Sequence, residues 1–407
     1  MIDECLARTR RVGAVLMVAA LGLCSLPPIA SRTGSEALAA DDNSLGLDQT
    51  RRLISLAQPK LADPEGWATD ILWSLEFSGI PHSPENVCAM IATVDQESNF
   101  KANPPVEGLA RRSLEALKVK LDGSDFKSLV LRSLFAADPS IKRNLFARLR
   151  RARTERDIDV AYRKLVGEIL TVESIIRLDS DYGLGAAEFF EARNEITTIG
   201  SMQVSVASAL AFERRYLGRS LYFEDIYRVR DYLYTRRGGL LAGTRQLLGY
   251  QSGYASKLHR FADYNAGRYS SRNAAFQWVV SKIDGRELVL DGDLLIYRGQ
   301  SISSRTSQSE RAINRIDKKL GLGLGAKAIR QDLSREKEFE FTDTATYLHM
   351  VRIYKSNYGT DPPFARVPQI QLKSVKLDRP LTTEWFARRV DRRYRRCLGR
   401  IVLSLIH

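Results

Sequence analysis

Hydrophobic residues recur at intervals of three and four along much of the chain, which is the spacing of one buried helix face. The clearest runs predict helices over Leu47–Ala57 and Trp67–Phe77, and a third that starts at Ser83 and ends near Phe100. One stretch, Leu288–Tyr297, resembles a strand instead. The pattern therefore predicts a mainly α-helical fold.

The helix that follows Ser83 carries the most informative polar residue. Ser83 suits the N-cap and Pro84 suits the first helical position. The apolar stripe of this helix comprises Val87, Met90, Ile91 and Val94. The same spacing continues to Glu97, and burial raises the pKa of a carboxyl group, as a general acid requires near neutral pH. Glu97 is therefore either a catalytic acid or a structural hydrogen-bonding group at the edge of the stripe.

Composition narrows the class of protein and of partner. The 407 residues and the 44% hydrophobic content allow two domains or one elaborated domain. The net charge of +14 favours an anionic partner, for which nucleic acid, a membrane surface and a cell-wall polymer all qualify.

Residues 1–39 have the features of an export signal peptide. A positive start, Arg8–Arg11, precedes the apolar run Val12–Leu26, and Ala37–Ala39 offers the small residues of a cleavage site. Lipid attachment at Cys24 is the alternative. We therefore expect an exported protein of the periplasm or cell envelope, soluble or peripherally anchored at a membrane. Export argues against nucleic acid as a partner.

Two cysteines, Cys88 and Cys397, would remain after cleavage. In an oxidising compartment they could form a disulfide that clamps the C-terminal helix onto the helix of Glu97, and two buried free thiols are the alternative. The chain has four histidines and no Cys/His cluster with metal-ligand spacing, so we predict neither a metal site nor a cofactor.

The chain divides into segments of different composition. Residues 40–82 are predicted to form N-terminal helices, and residues 83–290 a central domain that contains a charged, helical segment at 101–196. Residues 291–407 form a mostly helical C-terminal extension. Its glycine run, Gly321–Gly325, follows a helix rather than a strand, which indicates a helix–helix connector and not a phosphate-binding loop.

Tyrosine and arginine are dense between Tyr216 and Tyr254. These side chains could line a groove for sugars, or they could be the ordinary core and surface of helices. Just before them, Gly200 allows a close backbone approach. We expect Met202 and Gln203 to open the helix that follows.

Three short motifs, in this order, resemble those of the lytic transglycosylases and goose-type lysozymes of glycoside hydrolase family 23. Glu97-Ser98 resembles the catalytic Glu-Ser pair at a helix end. Gly200–Gln203 resembles the Gly-Leu-Met-Gln motif of the family, and Asp263–Gly267 resembles its Ala-Tyr-Asn-Ala-Gly motif.

Other stretches of the chain resemble a proteobacterial, lipoprotein-like family known as domain of unknown function 1615. The stretches that carry this second resemblance are Arg236–Gly239, Asp291–Leu295 and Leu381–Ala387. This resemblance covers most of the chain after the signal peptide, and it implies no particular activity.

The first resemblance implies a lysozyme-like helical core and a peptidoglycan lytic transglycosylase that acts on glycan strands. Glu97 would protonate the glycosidic oxygen between N-acetylmuramic acid and N-acetylglucosamine. The same carboxylate would then accept the proton of the muramic acid C6 hydroxyl, whose oxygen closes an anhydro ring on C1. Because this hydroxyl belongs to the sugar under attack, proximity lowers the barrier and no bound water is needed.

The resemblance also implies roles for the other motif residues. Ser98, Gln203 and Asn265 would bind and position the glycan, and Met202 would pack beneath it. Tyr264 would hold either the acetamido group of the substrate or the catalytic carboxylate.

The chain departs from the family pattern in three respects. Ser201 stands where the family has Leu, and Asp263 stands in place of Ala. Residues 101–196 become an insertion between the first two motifs, which could restrict or block the cleft. Asp263 could also serve as a second carboxylate, which would make the enzyme a hydrolytic muramidase. A peptidoglycan-binding envelope protein without catalytic activity is the further alternative.

Overall fold

The computed structural model describes residues 44–122, 139–175, 182–298, 301–372 and 381–406. The predicted signal peptide and Cys24 lie outside these residues. Within them the mainly α-helical prediction is confirmed, because the strands are short two-residue pairs. No helix in the described ranges combines the length and the apolar character that crossing a bilayer requires.

The described first half of the chain begins with three helices and continues with four more in the described part of the segment 101–196. The first three are α1 Leu47–Ala57, α2 Pro64–Phe77 and α3 Pro84–Ser98. The next four are α4 Leu109–Asp122, α5 Pro139–Arg151, α6 Glu155–Ile175 and α7 Tyr182–Glu191. The predicted boundaries of α1 match the structure, and α3 begins after the Ser83 cap, whose hydroxyl accepts from the Asn86 N–H at 3.4 Å.

A short antiparallel hairpin, β1 Thr198–Ile199 and β2 Val204–Ser205, leads into five helices. These are α8 Val206–Leu217, α9 Phe223–Leu233, α10 Arg236–Leu247, α11 Lys257–Ala266 and α12 Ser270–Asp284. The prediction that Met202 and Gln203 open a helix is wrong. Both residues lie in the hairpin turn, and the helix begins at Val206 with Ser205 as its cap.

The remaining described elements include two further antiparallel strand pairs and four helices. They are β3 Tyr297–Arg298, β4 Ser301–Ile302, α13 Gln308–Leu320, α14 Ala326–Leu333, a 3₁₀ turn Phe339–Asp343, α15 Ala345–Tyr358, β5 Gln371–Leu372, β6 Leu381–Thr382 and α16 Thr383–Ile406. The Gly321–Gly325 connector is confirmed, because it joins α13 to α14. The strand predicted over Leu288–Tyr297 is mostly wrong, since only its last residue pairs, with Ile302.

The described residues between 44 and 406 belong to one compact unit that contains two hydrophobic cores. The larger, here called the motif core, includes buried residues of α1–α3, the first hairpin, α8–α11 and α16. The smaller, here called the C-terminal core, is built by α12–α15 and the segment around Leu294. The C-terminal core therefore begins inside α12, before residue 290.

The last helix closes the motif core. Helix α16 packs mainly against α3 and α11 and buries Phe386, Val390 and Tyr394. Cys397 on α16 is joined by a disulfide to Cys88 on α3, with the two Cα atoms 5.6 Å apart. Arg393 adds an ion pair to Asp95 of α3 at 2.8 Å.

Candidate functional site

Glu97 lies in the last turn of α3. Asn99 then adopts a left-handed conformation, with φ +49°, and ends the helix. Val87, Met90, Ile91 and Val94 are fully buried, whereas Glu97 is only partly buried. The carboxylate therefore lies at the exposed end of a buried stripe rather than inside the core.

The second motif forms the turn of the first hairpin, held tightly against α9 and α10. Gly200 has φ +85°, and a Cβ there would lie 2.3 Å from the carbonyl oxygen of Leu233. The Met202 side chain is fully buried, and a Cβ on Gly243 of α10 would lie 2.2 Å from its sulfur. Glycines at these positions let the turn and α10 approach closely.

Ser201, which departs from the family pattern, is fully buried in the same contact. A Cβ on Gly239 of α10 would lie 3.1 Å from its hydroxyl oxygen. That hydroxyl has no hydrogen-bond partner within the described part of the chain. The space between the turn and α10 is small at this point. Serine is smaller than the leucine of the family pattern, so its side chain fits there.

Tyr264 links the third motif to the other two. Its hydroxyl donates to the carbonyl oxygen of Met202 at 2.9 Å, which ties α11 to the hairpin turn. Burial raises the pKa of Tyr264 well above its usual value, and the negative charge of Glu97 raises it further. Glu97 is therefore close enough to Tyr264 to act on it electrostatically. The structure brings Glu97, Met202 and Tyr264 together from stretches far apart in sequence.

The hydrogen bonds of Gln203 are made within the protein. This residue has φ +53°, an uncommon conformation for a side chain with a Cβ. Its amide nitrogen donates to Gly200 O at 3.2 Å and to Glu155 Oε2 at 3.3 Å, and its amide oxygen accepts from Thr198 Oγ1 at 3.0 Å. The amide is thus fixed in orientation beside the turn.

Glu155 is a site residue that the sequence analysis missed. It opens α6, inside the segment 101–196, and it is 2% exposed. The segment is therefore not a detached insertion, since it contributes a buried carboxylate to the second motif. Only the three-dimensional contact with Gln203 identifies Glu155, because an acid in the first turn of a helix is common.

A second buried contact joins the segment 101–196 to α9. The guanidinium of Arg230 is fully buried and donates to Asp159 at 2.8 Å and to Glu191 at 2.6 Å. It also donates to the Ile196 carbonyl at 2.7 Å. Separating such a buried ion pair is costly, because each charge would be left unpaired away from water. The pair therefore holds α9 against the segment 101–196.

Asp263, the candidate second carboxylate, is committed to a structural role. It is 2% exposed and accepts hydrogen bonds from the hydroxyls of Tyr250 and Tyr254. It also accepts from the backbone N–H groups of Tyr269 at 2.9 Å and Ser271 at 2.7 Å, which fixes the turn between α11 and α12. Burial raises the pKa of Asp263 to about 6. These bonds occupy the oxygens that a nucleophile or water-activating base would need.

Ser98 and Asn265 also make their hydrogen bonds within the protein. Ser98 is buried, donates to Val94 O at 3.1 Å and accepts from the Lys101 N–H at 3.3 Å. Asn265 is exposed, and its side-chain oxygen accepts from Thr383 Oγ1 of α16 at 3.0 Å. Ser98 therefore shapes the end of α3, and Asn265 anchors the start of α16 on the third motif.

The resulting site consists of a partly exposed carboxylate, a buried phenol beside it and a rigid hairpin turn. Such an arrangement can transfer a proton to and from a bound molecule at Glu97. Within the described ranges no group of three or more His, Cys, Asp or Glu side chains is arranged to hold a metal ion.

Comparisons with known proteins identify the family of the chain. Residues 60–400 match the model of a family described as "Protein of unknown function (DUF1615)". The chain is 33% identical over 336 residues to "Uncharacterized protein YaiW" of Escherichia coli (strain K12), an alignment that covers 83% of this chain and 85% of that protein. No solved structure matches. The chain therefore belongs to the DUF1615 family.

Proposed function

We propose that this member of the DUF1615 family is a peptidoglycan lytic transglycosylase with a lysozyme-like core, acting in the cell envelope. The observation that carries the proposal is Tyr264, which hydrogen-bonds the second motif and lies within electrostatic range of Glu97 of the first. Three motifs that are separate in sequence thus converge on one carboxylate that solvent can reach.

In this proposal Glu97 does the proton transfers. It protonates the oxygen that leaves when the bond from C1 of N-acetylmuramic acid to O4 of N-acetylglucosamine breaks. It then takes the proton of the C6 hydroxyl as the bond from O6 to C1 forms. No water is consumed, so the product is a 1,6-anhydromuramyl sugar.

The role of Tyr264 is narrower than the family resemblance implies. A phenol has one proton to donate, and the Met202 carbonyl accepts it. Tyr264 therefore fixes the turn, and it is buried within electrostatic range of Glu97. The hydrolytic alternative is the weaker one, because Asp263 is already bonded in the turn between α11 and α12.

The test is digestion of purified peptidoglycan by the wild type and by Glu97→Gln, with the products weighed by mass spectrometry. We expect anhydro products from the wild type and a loss of roughly 10²–10⁴-fold in Glu97→Gln, the usual contribution of a positioned acid/base. Glu85→Gln, an exposed acid in the first turn of the same helix, is the matched control and should keep full activity.

Each other outcome has a definite meaning. Products heavier by one water would indicate a hydrolase. Equal turnover in wild type and Glu97→Gln would remove Glu97 from the chemistry. A wild type that sediments with peptidoglycan and releases nothing would indicate a binding protein.

A further inference from the structure

An exposed surface on α2, α8, α9 and α10 combines aromatic rings with guanidinium groups. We call it the aromatic–arginine patch, and it comprises Trp73, Phe77, Phe212, Tyr232, Arg237 and Arg245. Its rings are unusually open to solvent for aromatic side chains: Phe77 is 59% exposed, Phe212 42% and Tyr232 43%. Exposed apolar surface that is continuous in this way marks an interaction site more often than scattered single residues do.

Five of the six members of the patch are joined by ring contacts, and Tyr232 lies within electrostatic range of both arginines. The rings of Trp73 and Phe77 stack with centroids 5.2 Å apart. The Arg237 guanidinium lies 5.0 Å from the centre of the Trp73 ring. The Arg245 guanidinium lies between Phe77, at 5.7 Å, and Phe212, at 4.6 Å. The patch is therefore one surface and not a set of separate rings.

The two arginines of the patch differ in whether a carboxylate pairs with them. Arg237 is bonded to Asp70 at 2.7 Å. Arg245 has no ion pair with any carboxylate in the described part of the chain, and its two flanking rings lack hydrogen-bond acceptors. The next turn of α8 adds Arg215 and Tyr216, both exposed. Within the patch, Arg245 is thus the guanidinium that is not neutralised by a described carboxylate, and it lies among aromatic rings.

We propose that the aromatic–arginine patch docks onto an anionic phospholipid surface. Aromatic rings are favoured at the level of lipid headgroups, and arginine binds phosphate oxygens there through paired N–H donors. A glycan strand is the competing occupant, since aromatic rings and guanidinium groups can also bind sugars, and binding to peptidoglycan is therefore tested beside binding to lipid.

Two further observations agree with a lipid surface as the occupant. The predicted export signal, with lipid attachment at Cys24 as its alternative, would bring the chain to a membrane. No described helix is able to span one, so association would be peripheral. Rings and arginines on folded helices are a common means of such association.

The patch lies across α10 from the candidate site. Arg237 and Arg245 are on one side of this helix, and Gly239 and Gly243, which contact the hairpin turn, are on the opposite side at 100° per residue. Docking through the patch would therefore hold the hairpin turn away from the bilayer. This inference does not depend on catalysis at Glu97.

The experiment measures how much of the exported, processed protein sediments with lipid vesicles. One preparation contains phosphatidylglycerol and phosphatidylethanolamine and is anionic, and the other contains phosphatidylcholine alone and carries no net charge. All proteins carry Cys24→Ser, so that no acyl chain can be attached there. We expect the wild type to bind the anionic vesicles at low salt, and Phe77→Ser with Phe212→Ser to lower the partition coefficient about ten-fold. Arg245→Gln should lower it about five-fold, the equivalent of one arginine at a charged surface.

The matched control is another exposed phenylalanine beside an arginine. Phe189 lies on α7, and Arg193, which contacts its ring, lies just after this helix. Phe189→Ser should leave vesicle binding unchanged, and unfolding midpoints should show that all variants are folded. The proposal is overturned if the wild type binds no vesicles, or if the patch variants bind as it does. It is also overturned if these variants lose binding to peptidoglycan or lose self-association instead of lipid binding.

Discussion

The motif core and the C-terminal core differ in how far apart in sequence their parts lie. The motif core is closed by a disulfide between residues separated by 309 positions, and its site joins stretches around residues 97, 202 and 264. The C-terminal core uses buried residues between Phe276 and Tyr354 only. One core depends on long-range closure, and the other depends on neighbouring helices.

This difference has a physical consequence. Long-range contacts stabilise the fold only after they offset the entropy that is lost when long loops close. Neighbouring helices lose less entropy when they pack, because the loops between them are short. The two cores adjoin at α12. Its Ser271 N–H donates to Asp263 of α11 at 2.7 Å, and its buried Arg272 donates to the Glu338 carbonyl at 2.6 Å. We expect the motif core to be sensitive to cross-links and tight turns, and the C-terminal core to caps and buried acids.

The largest effect should come from the double variant Cys88→Ala with Cys397→Ala. Removing a cross-link over so long a loop should lower the free energy of unfolding by about 5 kcal/mol, because the unfolded chain regains the entropy of the open loop. Denaturant unfolding measures the loss, and hydrogen exchange should increase in α3 and α16 but not in α13–α15.

Reductant is the control for this prediction. It should lower the stability of the wild type by a similar amount and leave the double variant unchanged. Equal loss of protection in both cores would show that they unfold as one unit, and the comparison drawn here would fail.

The next effect concerns the C-terminal core and its dependence on pH. Glu336 is buried, accepts from the Leu294 N–H and the Tyr297 hydroxyl, and burial raises its pKa from 4.5 to about 7. A raised pKa means that the folded state holds the proton more tightly than the unfolded state does. Stability should therefore fall by roughly 3 kcal/mol as the pH rises from about 4.5 to about 7, and stay level above that.

The variant Glu336→Gln keeps the uncharged form at every pH. The difference in unfolding free energy between wild type and variant should therefore change between about pH 4.5 and 7. Asp263, whose pKa is also raised, is present in both proteins, so its contribution cancels in this difference. Glu338→Gln, which changes an exposed acid two residues away, is the control variant. A wild type whose stability rises over this range would contradict the assignment.

A smaller effect should follow from Gly243→Ala in the motif core. The new Cβ would lie 2.2 Å from the Met202 sulfur, so the hairpin turn must shift, at a cost of about 2 kcal/mol. The proposed transglycosylase activity should fall with it, because the Met202 carbonyl holds Tyr264. The control Gly399→Ala on α16 meets no atom within 4 Å and should stabilise by about 0.5 kcal/mol. Equal effects of the two substitutions would show that the turn is loosely packed.

Local rules in the sequence were enough to predict most helices. Ser83 and Pro84 mark the start of α3, and the glycine run after α13 marks its end, because caps and breakers act within a few residues. The position of Met202 could not be predicted in the same way. Its turn exists because glycines of α10 leave room for it, and that contact is tertiary.

The candidate site shows the same limit. The motifs predicted that Glu97 and Tyr264 would come together, since each carries a recognisable pattern. Glu155 had no such pattern, and its burial against Gln203 depends on how the segment 101–196 folds back. Asp263 was an alternative second carboxylate in the sequence, and its hydrogen bonds from two tyrosine hydroxyls and two backbone N–H groups indicate a structural role.

The smallest effects should come from the helix caps, one in each core. Ser83 caps α3 through one hydrogen bond, at 3.4 Å to the Asn86 N–H, so Ser83→Ala should cost about 0.5 kcal/mol. Ser307 caps α13 at 3.0 Å to the Glu310 N–H and also donates to the Leu294 carbonyl, so Ser307→Ala should cost about 1.5 kcal/mol. The larger value belongs to the C-terminal core because its cap also joins two segments.

Hydrogen exchange of the amides in the first turns of α3 and α13 measures the effect of each cap locally. Denaturant unfolding gives the change in the free energy of unfolding. Ser83→Asp should restore the cap of α3, since a carboxylate accepts the same N–H and suits the positive helix end. If Ser83→Ala proved the more costly of the two, the start of α3 would depend on local capping more than on closure by α16. The contrast between a core closed at long range and one built from neighbours would then not extend to the helix that carries Glu97.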